Sequence, residues 1–113
     1  MKNINTLKNS RDFQRVYDRG KSYANRYLVI FFRKNNLNEN RAGFVTTKKL
    51  GNAVKRNKYR RRLRESYRLY QDRIEKGHDM IFLFRNNIPE IGYAEIDSAL
   101  KHIVSIAGLR KKK

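Results

Sequence analysis

Residues 48–65, KKLGNAVKRNKYRRRLRE, place nine Lys or Arg among their first 17 positions and hold no acidic residue before Glu65. Like charges four residues apart on a helix cost about 0.2–0.5 kcal/mol each, so such a segment needs compensation, and a polyanion is the natural partner. Wound at about 100° per residue, the stretch and its continuation gather Tyr59, Leu63, Ser66, Tyr67, Tyr70 and Ile74 within an arc of roughly 100°. That arc is the buried side. Arg60, Arg61, Arg64 and Arg68, with Gln71, fill the neighbouring arc as a blade of guanidinium groups beside an apolar seam. Glu65 and Asp72 fall farther round, so the blade is expected to have no carboxylate partner. A guanidinium forks onto phosphate oxygens and stacks on bases, whereas an ammonium acts as a point charge. Just upstream, Gly51 lets backbone approach a ligand, and Asn52 and Asn57 carry amides suited to base edges or sugar hydroxyls. A run of charge is often only a solvated face, but solvated faces mix signs.

The flanks place this helix between strands. RAGFVTTKK reads as a strand before it and MIFLF as a central strand after it, apolar on both faces. Farther out, SYANRYLVIFFRKN is a strand with a kink near Ala24-Asn25; period two sets Leu28, Ile30 and Phe32 on one face and Val29, Phe31 and Arg33 on the other. The polar NNLNEN then predicts a hairpin between that strand and RAGFVTTKK. NSRDFQRVYDRG predicts a short first helix capped by Ser10 and closed by Gly20, with Phe13, Val16 and Tyr17 as an aromatic-rich stripe whose plain reading is core packing. After Pro89 a last helix starts near Tyr93, with Ile96, Ala99, Leu100, Ile103, Val104 and Ala107 on one face. The order helix, strands, helix, strand, helix predicts a two-layer α+β sandwich, one domain over residues 1–113, with the basic tail 109–113 frayed.

The chain carries a formal net charge of +18 and a pI near 10.7, with 39% hydrophobic and 34% charged residues. That is apolar enough to fold, and so one-signed that the partner is expected to be anionic: nucleic acid first, a membrane surface or acidic protein after it. The longest apolar run, YLVIFF, is far shorter than the ~20 residues of a membrane span, and the N-terminus has no apolar signal region. The chain has no cysteine, which fits a reducing cytoplasm. Catalysis by the protein itself is not expected: His78 and His102 stand far apart, no nucleophile motif is present, and the ten acidic residues are dispersed. No metal site is expected; nothing in the spacing of Asp12, Asp18 and Asp79 argues for one.

KKLGNAVKRNKYRRRLRE resembles the signature of the bacterial ribonuclease P protein subunit: Lys, apolar, Gly, any residue, Ala-Val, any residue, Arg-Asn, then basic residues ending in Arg-Glu. The match falls on Lys49, Gly51, Ala53, Val54, Arg56, Asn57, Arg60, Arg61 and Arg64. RDFQRVYDRGKSYANRYLVIFF, HDMIFLFR and YAEIDSALKHI extend it over nearly the whole chain; Tyr59 departs from it, standing where an aliphatic residue is common. The resemblance implies a protein cofactor of an RNA-plus-protein endonuclease that removes the 5′ leader of precursor tRNA. It implies hydrolysis by Mg²⁺ ions held on the RNA, with no catalytic residue or cofactor on the protein and no obligate protein partner. Lys49, Gly51, Asn52, Lys55, Arg56, Asn57, Arg60, Arg61, Arg64 and Arg68 would bind the catalytic RNA. The leader would lie in a cleft between the first helix and a sheet face, making Phe13, Tyr17 and Phe31 stacking candidates, with Arg33 and Lys48 tracking its phosphates. The resemblance also implies a left-handed connection from RAGFV through the basic helix to MIFLF. Without the resemblance, a ribosomal or other structural RNA-binding protein fits the same composition.

Overall fold

The computed structural model describes residues 3–112. Its elements are α1 (Ser10–Arg19), β1 (Lys21–Ala24), β2 (Leu28–Lys34), β3 (Arg41–Val45), α2 (Ala53–Tyr70), β4 (His78–Phe84) and α3 (Tyr93–Ile106). The cap of α1 is Asn9, one residue before the expected Ser10, its side chain accepting from the Asp12 N–H at 2.9 Å. The kinked strand is two strands. Asn25 turns the chain by accepting from the N–H groups of Tyr27 and Leu28 at 3.1 and 2.9 Å, and β1 folds back antiparallel on β2.

The sheet order is β1-β2-β4-β3, so the expected hairpin between β2 and β3 does not form. β4 lies between them, antiparallel to β2 and parallel to β3. Asparagines of the loop explain the difference. Asn35 donates from Nδ2 to Asp79 at 2.9 Å, and Asn40 accepts from the His78 N–H at 2.9 Å while its Nδ2 donates to the Glu75 carbonyl at 3.0 Å. The loop thereby wraps the start of β4 and delivers β3 to its far side. A strand apolar on both faces gains most from the centre of a sheet.

The hand of the β3–α2–β4 connection follows from residue chirality and two hydrogen bonds. In a strand of L-residues running upward with a side chain toward the viewer, that residue's own N–H and C=O point right. The Arg85 N–H donates to the Tyr27 carbonyl, and the Asn35 N–H to the Gly77 carbonyl, both at 2.9 Å. Odd-numbered residues along β4 therefore turn their backbone groups toward β2, and even-numbered ones toward β3. The even residues Met80, Phe82 and Phe84 face α2, with Tyr59 against Phe84 and Tyr67 against Phe82. Seen from α2 with β4 upward, β3 lies to the right, and a path from β3 over α2 to β4 moves left. The crossover is left-handed, as the resemblance implies and against a rule that holds in about 98% of cases.

On that face Leu28, Ile30 and Phe32 join the α2 seam of Tyr59, Leu63 and Tyr67 and the α3 residues Ile96, Leu100, Ile103 and Val104 in one core. The other face carries α1 and the segment just before it, with Val16 and Ile81 fully buried and Leu7 nearly so. Tyr59 meets the cost of a buried phenol with two bonds: its hydroxyl accepts from the Ile91 N–H at 2.9 Å and donates to Glu90 at 3.1 Å. The tail is anchored as far as Lys111. Leu109 is buried, its carbonyl accepts from the Glu75 N–H at 2.7 Å, and the Lys111 N–H donates to the Arg73 carbonyl at 2.8 Å. Apolar contact for Leu109 overrides the fraying that five terminal residues of this composition suggest; Lys113 lies outside the described residues.

Among the described residues Asp79 is the buried charge, 2% exposed. Burial alone would raise its pKa, but hydrogen bonds from Arg41 and Asn35 and the charges of Arg41 and Arg33 outweigh it and hold the carboxyl below the usual range. Arg41 donates from Nε at 2.8 Å and Nη2 at 2.7 Å, a bidentate fork. A carboxylate whose pKa is lowered by folding stabilises fully above its unfolded value, near 3.9, and that stability is lost as pH falls through the folded value. Asp79→Asn is expected to cost about 3 kcal/mol in denaturant unfolding at pH 7, the lower end for a broken buried pair because Arg41 keeps some solvent. The difference from wild type should shrink below pH 4, and a variant as stable as wild type at pH 7 would contradict this role.

Candidate nucleic-acid interface

The α2 helix starts at Asn52, whose side-chain carbonyl accepts from the Lys55 N–H at 2.9 Å. Asn52 is thus a helix cap, and its Oδ1 is committed to the protein. Gly51 ends the short turn of Lys48, Lys49 and Leu50, and its carbonyl accepts from Arg56 at 3.1 Å. Lys48 and Lys49 are exposed. Lys55 leans away from the arginine row: its Nζ lies 5.3 Å from the Tyr59 ring centroid and 4.0 Å from Glu90.

The arginine row divides into held and unpaired members. Arg60 donates to Thr46 Oγ1 at 3.2 Å and to Asn57 Oδ1, so both groups aim its guanidinium. Arg68 forks onto Glu65 at 2.9 and 2.7 Å, which corrects the expectation that the blade has no carboxylate partner. The spacing i,i+3 brings the two together although they occupy different arcs of the wheel, and the Arg68 hydrogen bonds hold Glu65 below the usual carboxylate range. Arg61 and Arg64 are exposed and have no ion-pair partner among the described residues. The row therefore offers bare positive charge at its centre and a neutralised pair at its end.

A groove of about 430 Å³ joins this row to the aromatic side of α1, lined by Phe13, Gly43 and Phe44 and by Asn57, Arg60, Arg61 and Arg64. Phe13 packs against Gly43, where an added Cβ would come within 2.6 Å of its ring. Only glycine lets the ring settle on the sheet there. Tyr17, one turn on, meets Phe31 edge to face with centroids 5.0 Å apart. Phe13 and Phe31 are half-buried, and Tyr17 is 36% exposed. The three rings thus sit together around the small α1 core, partly open, with Val45 beside them. Gly20 lets α1 drop onto β2 at its end, since a Cβ there would stand 2.6 Å from the Phe32 carbonyl oxygen.

Arg33 is not part of this aromatic cluster. Although it shares a sheet face with Phe31, it lies past the end of α1 in a separate groove with Arg19. Lys48 stands in the turn that follows β3, beyond Thr46 and Thr47, which bond Arg60 and Asn86. Sequence reasoning missed Gly43, Phe44 and Thr46; the glycine amid apolar strand residues was the available signal, because such a glycine marks close approach. Among the described residues no group of three or more His, Asp or Glu stands close enough to hold a metal, and no helix is long and apolar enough to cross a membrane.

A thin α+β sandwich with unpaired arginines on one helix, running into a groove lined by half-buried rings, defines a nucleic-acid-binding protein. Comparison with known proteins narrows the class. The Ribonuclease P family model matches residues 1–108, and the chain belongs to that family. The ribonuclease P protein component of Alkaliphilus metalliredigens (strain QYMF) is 45% identical over 104 residues, covering 92% of this chain and 94% of that one. The structure of the Staphylococcus aureus RNase P protein superposes with a TM-score of 0.87 at 34% identity, over 96% of this chain and all of that one. The Thermotoga maritima RNase P protein gives 0.82 at 31% identity, over 89% and 96%.

The division of the row makes a test. Arg61→Ala with Arg64→Ala is expected to leave the unfolding midpoint where it is and to make the fall of log RNA affinity with log salt shallower by about 1–2. Arg68→Ala, which removes a charge already paired, should change that slope less. Equal slopes for wild type and the double variant would contradict the assignment.

Proposed function

We propose that this chain is the protein component of a ribonuclease P endoribonuclease, holding the catalytic RNA on the arginine row and the 5′ leader of precursor tRNA over Phe13, Tyr17 and Phe31. The observation that carries this reading is the shared groove: Phe13 lies in the same concavity as Arg60, Arg61 and Arg64, so two RNA strands can be held side by side by one small protein. Arginine row and rings suit different tasks. Guanidinium groups grip the phosphates of a folded RNA, while partly open rings stack the bases of a single strand without regard to its sequence. The leader is a single-stranded 5′ extension that mature tRNA lacks, so rings that stack on it favour precursor over product.

In this arrangement the protein binds and positions; Mg²⁺ ions on the RNA supply the hydrolysis. The assembly works in the cytoplasm with no obligate protein partner. Asn57 and Thr46 keep Arg60 aimed at the groove, and the Asn52 cap starts the helix so that Arg56, Arg60 and Arg64 follow one another at i,i+4.

Phe31→Ala is expected to weaken precursor tRNA binding to the reconstituted holoenzyme by about 1–3 kcal/mol, the value of one lost stack, and to leave mature tRNA binding nearly unchanged. Equal losses for both ligands would reassign Phe31 to the core.

A further inference from the structure

Past the C-terminal end of α1 a second groove, of about 420 Å³, is lined by Arg19, Lys21, Phe32, Arg33, Lys34 and His78. Four of its six residues are cations and none is acidic. None of the four is in an ion pair among the described residues. Tyr23 lies stacked on Phe32, with centroids 6.0 Å apart and planes 16° apart, and keeps 41% of its surface exposed. His78 meets Phe32 edge-on at 6.2 Å. The register sets Lys21 opposite Phe32, Tyr23 opposite Ile30 and Lys34 opposite His78. All of these therefore share the sheet face of Ile30 and Phe32, while Arg33 points to the α1 face, so the groove wraps the end of the sheet.

The fold makes little use of these groups. Lys21, Lys34 and Arg19 are exposed, and β1 is exposed along its whole length. An exposed ring backed by a second ring that lines a groove of four unpaired cations is a platform for a base with phosphates beside it. A lone anion would leave the Tyr23 face unused. We propose that this groove is a second binding site for single-stranded RNA, taking a base on Tyr23 and phosphates on Arg19, Lys21, Arg33 and Lys34.

Continuity with the first site identifies the occupant as the upstream part of the leader, a conclusion that rests on the leader reading given above. Ser22 of β1 pairs with Phe31 of the aromatic cluster, and the adjoining Lys21 pairs with Phe32 of the groove. The two sites are thus separated by β1, an edge strand about 4.8 Å wide. A leader that crosses Phe31 and rounds this free edge enters the second groove. A leader too short to round it does not.

The test uses the reconstituted holoenzyme carrying Lys21→Ala, Tyr23→Ala and Lys34→Ala together, all exposed positions, with the unfolding midpoint measured alongside. Three ligands are compared: mature tRNA, a precursor whose leader just covers Phe13, Tyr17 and Phe31, and a precursor with a leader several nucleotides longer. The triple variant should bind the long-leader precursor roughly tenfold more weakly and the other two as wild type does. An undiminished affinity for the long leader overturns the proposal. A loss shared equally by all three ligands also overturns it, since the groove would then serve the catalytic RNA or the fold. Failure of the leader reading itself looks different: the wild-type protein would then bind the short-leader precursor no better than mature tRNA.

Discussion

Everything in this molecule depends on the apolar seam of α2. The helix carries arginines at positions 60, 64 and 68, each pair a repulsion of about 0.2–0.5 kcal/mol, and by itself such a segment has poor reason to be ordered. Its other arc decides the matter. Tyr59 is buried against Phe84, Tyr67 against Phe44 and Phe82, and Leu63 within the same core, at about 1.5–3 kcal/mol for each large side chain. Burial exceeds repulsion by a wide margin, so the protein holds its arginines in a row before any RNA arrives. Preorganisation of this kind means that RNA binding need not bear the cost of ordering the helix.

The seam also sets the geometry of the second surface. Because α2 and α3 cover one sheet face together, the opposite face is left to α1, a ten-residue helix that can cover only part of it. The uncovered part keeps Phe31, Tyr17 and Val45 half open. Gly43 lets Phe13 lie on the sheet at the boundary, and the left-handed crossover puts β3, with Gly43 and Phe44, at the sheet edge beside the arginines. An incomplete layer, which in most small domains would be a liability, is here the reason that rings and cations meet.

Much of this was legible in the sequence. The α2 wheel separated Tyr59, Leu63 and Tyr67 from Arg60, Arg61 and Arg64 because helical spacing alone fixes which residues share an arc. Period two likewise assigned the faces of β2, and an apolar run bounded by a glycine marked β4 as central. Pairing was another matter. The neighbour of β3 is chosen by Asn35 and Asn40 bonding to the start of β4, contacts between residues about 40 positions apart that no local pattern contains. Two local signals went unused: Asn52 stands directly before a helix and is its cap, and Glu65 lies three residues from Arg68 and pairs with it. Arg33 was grouped with Phe31 by sheet parity, but α1 ends at Gly20 against Phe32 and leaves Arg33 in a separate groove, and parity is blind to what lies over a strand.

The central claim is that two RNA strands occupy one protein on two adjoining surfaces. It is tested most directly by site-specific photocrosslinking in the assembled holoenzyme with precursor tRNA bound, using a photoreactive side chain at position 61 in one protein and at position 17 in another. The account predicts that position 61 labels the catalytic RNA and position 17 labels the leader. Labelling of the catalytic RNA from both positions, with the leader untouched, would contradict it.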